Sequence, residues 1–385
     1  MGIDELTYKS LIEEVINIRR HLHKYPEISE KEYKTCEYIR NYLNSIGINN
    51  KVVGDTGVVG SIINDYKYPT IALRAEMDAL PIYEENSCEY KSKNIGVMHA
   101  CGHDGIVATV LGLAKLLQNN KESLKCNIKL IFEPAEEVGK GARKLINEKV
   151  LENPRVDKMI IFHFANSQSI GMEIQKNVST AIIGRIAIDI LGKSSHWGDA
   201  DKGINAISAS GKVINTIDEI NDEFKDKISF VLGMGIINGG IKNNIMADKV
   251  SLEGTLRAFN EDDFLFLLNN LKKRMNELEK QTGAKIKVNL KSMLPNVIND
   301  PYLVEVGSKI GKEIFNDKYV LGTNPYLAGD NAAYYFQLVP GVRIVFFAEK
   351  ENEINYPLHN SRFDFNEDIF YHAIKTLFKI IVNII

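Results

Sequence analysis

No stretch of this 385-residue chain approaches the ~18 consecutive apolar residues of a membrane-spanning helix. Its amino end does not resemble an export signal or an anchor either. Residues 1–25 carry Asp4, Glu5, Glu13, Arg19 and Arg20 and hold no unbroken apolar core. Cysteine is scarce: Cys36, Cys88, Cys101 and Cys126 follow no framework spacing. Without an export signal they read as reduced thiols, with metal binding ahead of disulfide bonding, and the expected location is the cytoplasm. No long block of one charge occurs and the formal net charge is -3, so neither nucleic acid nor a membrane surface is favoured as a partner. Repeats and low-complexity tracts are missing too. What is there is an ordinary globular balance, 44% hydrophobic and 25% charged, in a length that suits two or three domains.

Apolar spacing predicts a helix over 7–24 (Leu11, Val15, Ile18, Leu22). A second follows Pro26, with Ser29 as N-cap and Glu32 as its capping-box partner, and stops near Gly47. Short strands are expected at 51–53, 58–63 and 70–75. Four runs, at 71–73, 128–132, 159–164 and 342–347, are almost continuously apolar. Strands buried on both faces have this character, which predicts a mainly parallel sheet covered by helices such as 105–117 and 142–147. From about Ser179 the pattern becomes alternating, at 185–190, 230–236, 250–256 and 285–291, with helical stripes at 204–220 and from Phe264 to Leu278. That order, βαββαβ, predicts an inserted ferredoxin-like unit. The expected class is α/β, with a catalytic domain at 1–178 and 295–385 and an inserted domain at 179–294.

Chemistry concentrates in Met98-His99-Ala100-Cys101-Gly102-His103-Asp104. In extended backbone Cys101 and His103 would face one side, and thiolate with imidazole suits zinc and its neighbours. A buried thiol beside a hydrogen-bonded histidine is the plain alternative. His99 would be a ligand or a supporting group. Glu136 and Glu137 follow an apolar strand, so one could bind metal while the other reaches a water whose pKa the metal lowers towards ~7. A solvated acidic turn has the same sequence. His163 ends a buried run and His359 follows the last one, where open α/β sheets place ligands. Either alone is equally a satisfied core histidine. Together Cys101, His103, Glu137, His163 and His359 make five ligands, enough for two divalent ions if one bridges, and Glu136 remains as a base.

The sequence resembles the metallopeptidase M20 family, in its branch of N-acyl-amino-acid amidohydrolases (hippurate hydrolases, auxin-conjugate hydrolases, N-acetyldiaminopimelate deacetylases). The likeness spans nearly the whole chain. It rests on Arg20-His21-Leu22-His23 with Pro26-Glu27, on 73–81, 98–104 and 133–137, on His163, and on 192–196. Further on come Gly239-Gly240 with Asn244, Gly254-Thr255-Leu256-Arg257 and Leu358-His359. The resemblance implies a two-metal catalytic domain and a smaller lid domain that serves dimerisation in many relatives. It implies the same five ligands, with Cys101 bridging, Glu136 as general base and acid, and Asp78 orienting a ligand. From the lid, His196 would polarise the scissile carbonyl, while Asn244 and Arg257 hold the acyl or carboxylate part. Plain readings stand beside these: an exposed arginine at 257, a turn residue at 244, a surface aromatic pair at His196-Trp197.

Several positions depart from the family pattern. Glu76 stands for an aspartate, Ile106 for a second histidine, and Trp197-Gly198-Asp199 for small residues. Asn244 to Asp248 lacks a proline, and Asp330-Asn331 replaces part of a Glu-Asp-Phe. No expected ligand is lost. The expected activity is hydrolysis of the amide bond of N-acyl amino acids, using two divalent ions among Zn, Mn, Co or Ni, in a homodimer or higher homo-oligomer. A dipeptidase or aminopeptidase, or a catalytically silent metal-binding scaffold, are the alternatives.

Overall fold

A computed structural model describes residues 5–384; Met1 to Asp4, part of the amino-terminal reading above, lie outside them. The chain divides into two compact units. The first comprises residues 1–177, 298–324 and 334–385, the second 178–297 and 325–333. The sequence placed 325–333 with the first domain; their contacts group them with the second.

In chain order the elements are α1 (Glu5–Lys24), α2 (Tyr33–Ser45), β1 (Asn49–Val53), β2 (Gly57–Ile62), β3 (Thr70–Glu76), α3 (His103–Asn119), β4 (Asn127–Glu133), α4 (Gly141–Asn147), β5 (Lys158–Ala165) and β6 (Gly171–Gln175). Next come β7 (Ile182–Leu191), α5 (Ala206–Phe224), β8 (Phe230–Gly239), β9 (Lys249–Ala258), α6 (Glu261–Thr282) and β10 (Lys285–Leu294). The chain closes with α7 (Pro301–Phe315), β11 (Tyr319–Gly322), α8 (Ala332–Phe336), β12 (Gly341–Phe347) and α9 (Ile369–Asn383).

The first unit is built on an eight-stranded sheet in the order β1-β2-β4-β3-β5-β12-β6-β11. The four continuously apolar runs are β4, β3, β5 and β12, adjacent and mutually parallel. Their burial on both faces is why they do not alternate. Antiparallel β1 and β2 extend one side; β6, antiparallel to β12, and β11 extend the other. Too short to show a period, β6 and β11 were not legible in the sequence. Helix α3 is buried along most of its length, which explains its nearly all-apolar surface. Strand β4 lies on one side of β3 and β5, which follows β4 in the chain, on the other, so a crevice is expected at the carboxyl end of β3.

The second unit has its own core, and its antiparallel sheet runs β10-β7-β9-β8 with α5 and α6 against it. The strict alternation of these strands follows from their having one buried face.

The expected capping box is not formed. Helix α2 begins at Tyr33, after an N-cap Glu32 whose side chain makes no cap hydrogen bond. Glu27 Oε2 instead accepts the Thr35 N–H at 2.8 Å, while Ser29 and Glu32 turn towards the β3 and β4 ends.

Candidate active site

Because β4, β3, β5 and β12 run parallel, their carboxyl ends share one edge of the sheet. Asp78 follows β3, Glu136 and Glu137 follow β4, His163 lies near the end of β5, and His359 lies in the loop after β12. Cys101 and His103 arrive on the segment between β3 and α3, which pairs back on itself at Leu80 and Met98. The loop bearing His359 is tied to this segment, the His359 N–H donating to the Ala100 carbonyl at 2.8 Å.

Extended backbone is not what brings Cys101 and His103 together. Gly102 between them is left-handed (φ +79), and His103 is already the first residue of α3. A side chain would resist that conformation, so the glycine makes the turn.

Among the described residues three groups of donor atoms lie within 4.8 Å of one another: Cys101 with His103 and His163, Cys101 with Glu137 and His359, and His103 with Glu136 and Glu137. Cys101 belongs to two of them. Zinc-like ions sit about 2.3 Å from sulfur and about 2.0–2.2 Å from nitrogen or oxygen, so tetrahedral ligand atoms lie about 3.4–3.6 Å apart. Cys101 Sγ is 3.5 Å from His163 Nε2. Glu137 Oε1 is 3.6 Å from His359 Nε2 and 3.9 Å from His103 Nε2. That oxygen is buried and accepts no hydrogen bond. A buried carboxylate needs a donor or a cation, and these distances fit a cation. Burial pushes the Cys101 thiol up to about 12, so a thiolate there calls for a neighbouring positive charge.

Each inner histidine is oriented by a carbonyl, which can only accept. His103 Nδ1 donates to the backbone oxygen of Asp78 at 2.9 Å, and His163 Nδ1 to that of Phe164 at 2.7 Å. Both Nε2 atoms are thereby left as the lone-pair side, as a ligand requires. Asp78 thus holds His103 through its main chain, with carboxylate Oδ1 3.4 Å from Nδ1. Burial alone would raise the Asp78 pKa, but His103, Ser29 and the Glu137 N–H outweigh it and hold it below the usual range.

His99 joins none of these groups. It is buried, neither ring nitrogen has a hydrogen-bond partner, and burial takes its pKa down to about 4. Asp104, next to His103, is instead gripped by α1: Arg19 Nε at 2.8 Å and His23 Nδ1 at 2.8 Å. Arg19 and His23 are therefore a buried brace under the start of α3. The sequence also missed Ser29, Glu32 and Arg74, the last paired with Glu76 and, at 2.9 Å, with Glu133. Glu76, one of the departures, is held in that pairing, and Ile106 is a core residue of α3.

His196, Asn244 and Arg257 belong to the second unit. His196 is exposed, and its Nδ1 accepts the Gly198 N–H at 3.1 Å, which leaves the proton of the neutral ring on Nε2. Trp197 donates its Nε1–H to the Asn243 carbonyl at 3.2 Å. Asn244 is exposed. Arg257 is half-buried and donates to the Leu327 carbonyl at 2.6 Å, so it is not a loose surface arginine.

The sequence pattern of peptidase family M20/M25/M40 matches residues 72–383. The chain belongs to that family. It is 34% identical over 355 residues to the N-acetyl-L-cysteine deacetylase of Bacillus subtilis, covering 90% of this chain and 83% of that protein. It is also 34% identical over 365 residues to thermostable carboxypeptidase 1 of Saccharolobus solfataricus, covering 92% and 91%. A solved structure described as the Bacillus subtilis YXEP protein, a dinuclear metal-binding peptidase of the M20 family, superposes with a TM-score of 0.85. That match is at 27% identity and covers 98% of this chain and 99% of that one. As a member of the M20 family, this chain is a metal-dependent hydrolase of amide bonds.

Proposed function

We propose that this M20 hydrolase cleaves the amide bond of N-acyl amino acids, releasing a carboxylic acid and a free amino acid. The observation that carries this is Glu136 standing among the donors Cys101, His103, Glu137, His163 and His359 at one edge of the parallel strands. In this reading those five residues would hold two divalent ions, Cys101 being the donor common to two of the groups. When bound there, such ions acidify water and polarise a carbonyl.

Glu136 takes the proton of the attacking water and later delivers it to the departing amine nitrogen, so no proton is left over. The Asp78 carbonyl keeps His103 Nδ1 protonated and leaves its Nε2 as the atom that would hold an ion. From the second unit, His196 offers Nε2–H to the developing oxyanion, and Asn244 and Arg257 hold the acyl or carboxylate part. Likeness to a B. subtilis deacetylase of an N-acyl amino acid supports this substrate class. Likeness to a carboxypeptidase supports a second reading, cleavage of short peptides.

Two finer points belong to the same proposal. A homodimer through the second unit fits the edge strand β8, which exposes Ile236 and Ile237. A reducing, cytoplasmic setting would keep Cys101 a thiol.

The test is a panel of N-acetyl and N-benzoyl amino acids set against dipeptides with a free amine. The protein is reconstituted in turn with Zn, Mn, Co and Ni. N-acyl amino acids should turn over fastest, and Glu136→Gln should keep its metal yet lose about 10²-fold or more in kcat. Faster turnover of the dipeptides would favour the peptidase reading, and no turnover of either class would overturn both substrate assignments.

A further inference from the structure

The loop between α1 and α2 sends two side chains to the β3 and β4 ends that none of the roles above uses. Ser29 Oγ donates to Asp78 Oδ2 at 2.7 Å. Glu32 has no solvent exposure, and its carboxylate receives three hydrogen bonds. The Ala135 N–H at 2.8 Å and the Glu30 N–H at 3.0 Å reach Oε1, and the Thr56 hydroxyl at 2.7 Å reaches Oε2.

Ala135 directly precedes Glu136, and it is left-handed (φ +54) without being glycine. Such a conformation is costly and persists only where its surroundings over-determine it. Here its N–H is held by Glu32, while its carbonyl accepts from Lys140 at 3.1 Å and Gly141 at 3.2 Å. Two residues on, the Glu137 N–H donates at 3.0 Å to Asp78 Oδ2, the same oxygen that takes Ser29. The direction in which Glu136 and Glu137 leave the end of β4 is therefore set from both sides, and on the Ala135 N–H side by Glu32.

We infer that Glu32 is a positioning residue for Glu136 and Glu137, acting through the Ala135 N–H and touching neither substrate nor ion. The inference rests on the reading of Glu136 as the base. A base must lie about 2.6–3.2 Å from the proton it takes, and a misplacement of about 1 Å can cost about 10²-fold in rate. Hydrogen-bond geometry, not charge, carries the role. The amide introduced by Glu32→Gln can accept both N–H groups on its oxygen and donate to Thr56, whose hydroxyl rotates to accept.

The experiment uses the full chain loaded with Zn, with bound metal measured for every variant. Glu32→Ala should lose about 10²-fold in kcat, with KM and metal content near those of the parent. Glu32→Gln should stay within about threefold of the parent. In the metal-free protein, deuterium uptake at 133–141 should rise for Glu32→Ala and not for Glu32→Gln. Lys129→Met is the control for lost stability alone. It removes an ammonium whose hydrogen bonds go to the Val150, Glu152 and Pro154 carbonyls, and it should lower Tm without changing kcat. If Glu32→Ala does not fold, Glu32→Asp, one methylene shorter, should fold and show the same loss of kcat at lower magnitude. A kcat within about twofold of the parent in Glu32→Ala or Glu32→Asp, or Glu32→Gln as impaired as Glu32→Ala, overturns the inference. Glu136→Gln separates the two levels: if it is inactive while Glu32→Ala is active, only the positioning role falls. If Glu136→Gln is fully active, the base assignment falls instead.

Discussion

The His359 N–H donates to the Ala100 carbonyl at 2.8 Å, stitching the loop after the last central strand to the residue beside Cys101. His359 is itself left-handed (φ +67) and over half exposed, so this bond, rather than burial, fixes where its backbone sits. One donor from a late loop and one from the turn before α3 are thereby held in a common group with Glu137.

Replacing the shared thiol tests that grouping. Cys101→Ser substitutes a hydroxyl that stays protonated and binds poorly. Affinity for Zn, read by competition with a coloured chelator, should fall by more than the about 10–100-fold typical of losing a supporting group. Cys36→Ser, in α2, should leave it unchanged. An unaltered affinity in Cys101→Ser would sink the bridging role.

The brace beneath α3 predicts a pH dependence of stability. Burial disfavours a charged His23, but Asp104 at 2.8 Å and Glu84 at 3.2 Å outweigh it and lift its pKa to about 9. The folded state then binds a proton that the unfolded chain, with a histidine near 6.5, gives up first. This contribution is complete below about pH 6.5 and is lost as pH rises through about 9; its upper bound is about 3 kcal/mol. Urea unfolding from pH 6 to pH 10 should show the decline, and His23→Gln should be less stable at pH 6 and flatter with pH. Equal slopes in the two proteins would refute it.

Gly141 opens α4 with no room for a side chain. A Cβ there would meet the Pro134 carbonyl oxygen at 1.9 Å and Glu133 Oε1 at 2.8 Å. The first of these is backbone and cannot swing aside. Gly141→Ala should cost at least about 1–3 kcal/mol, and because it displaces the loop that carries Glu136 it should lower kcat as well. Thermal unfolding and turnover, measured together, check both. A stable, fully active variant would show that the loop yields easily.

For His196 the expected signature is kinetic only. On the proposed reading His196 donates to charge that develops in the transition state, and His196→Ala should then lose about 10²–10³-fold in kcat. Bound metal should not change, since no donor group contains His196. Loss of metal along with activity would assign it a different place.

Much of the architecture was legible because burial leaves a period. Strands buried on both faces lost their alternation and became the four adjacent parallel strands. Those with one wet face kept it and became the antiparallel sheet. The donor set was legible as residue types at strand ends. What misled was local chemistry with two possible uses. Ser29 and Glu32 are spaced as a capping box, yet Glu27 caps α2, and both side chains serve Asp78 and Ala135. Cys101 and His103 converge through a left-handed Gly102, not an extended strand.

By itself the sequence determined the class of the long periodic elements, the break between two kinds of sheet, the family, and where residue types with ligand chemistry fall. Periodicity and composition are local responses to burial, so they survive in one dimension. Only the tertiary structure decided which donors share a group, that Asp78 orients His103 through its carbonyl, and that Glu32 reaches across from the start of α2 to the residue before Glu136. Those are choices among partners far apart in the chain. A hydrogen bond or a ligand contact is settled by distances of a few tenths of an ångström, which no local pattern of residues encodes.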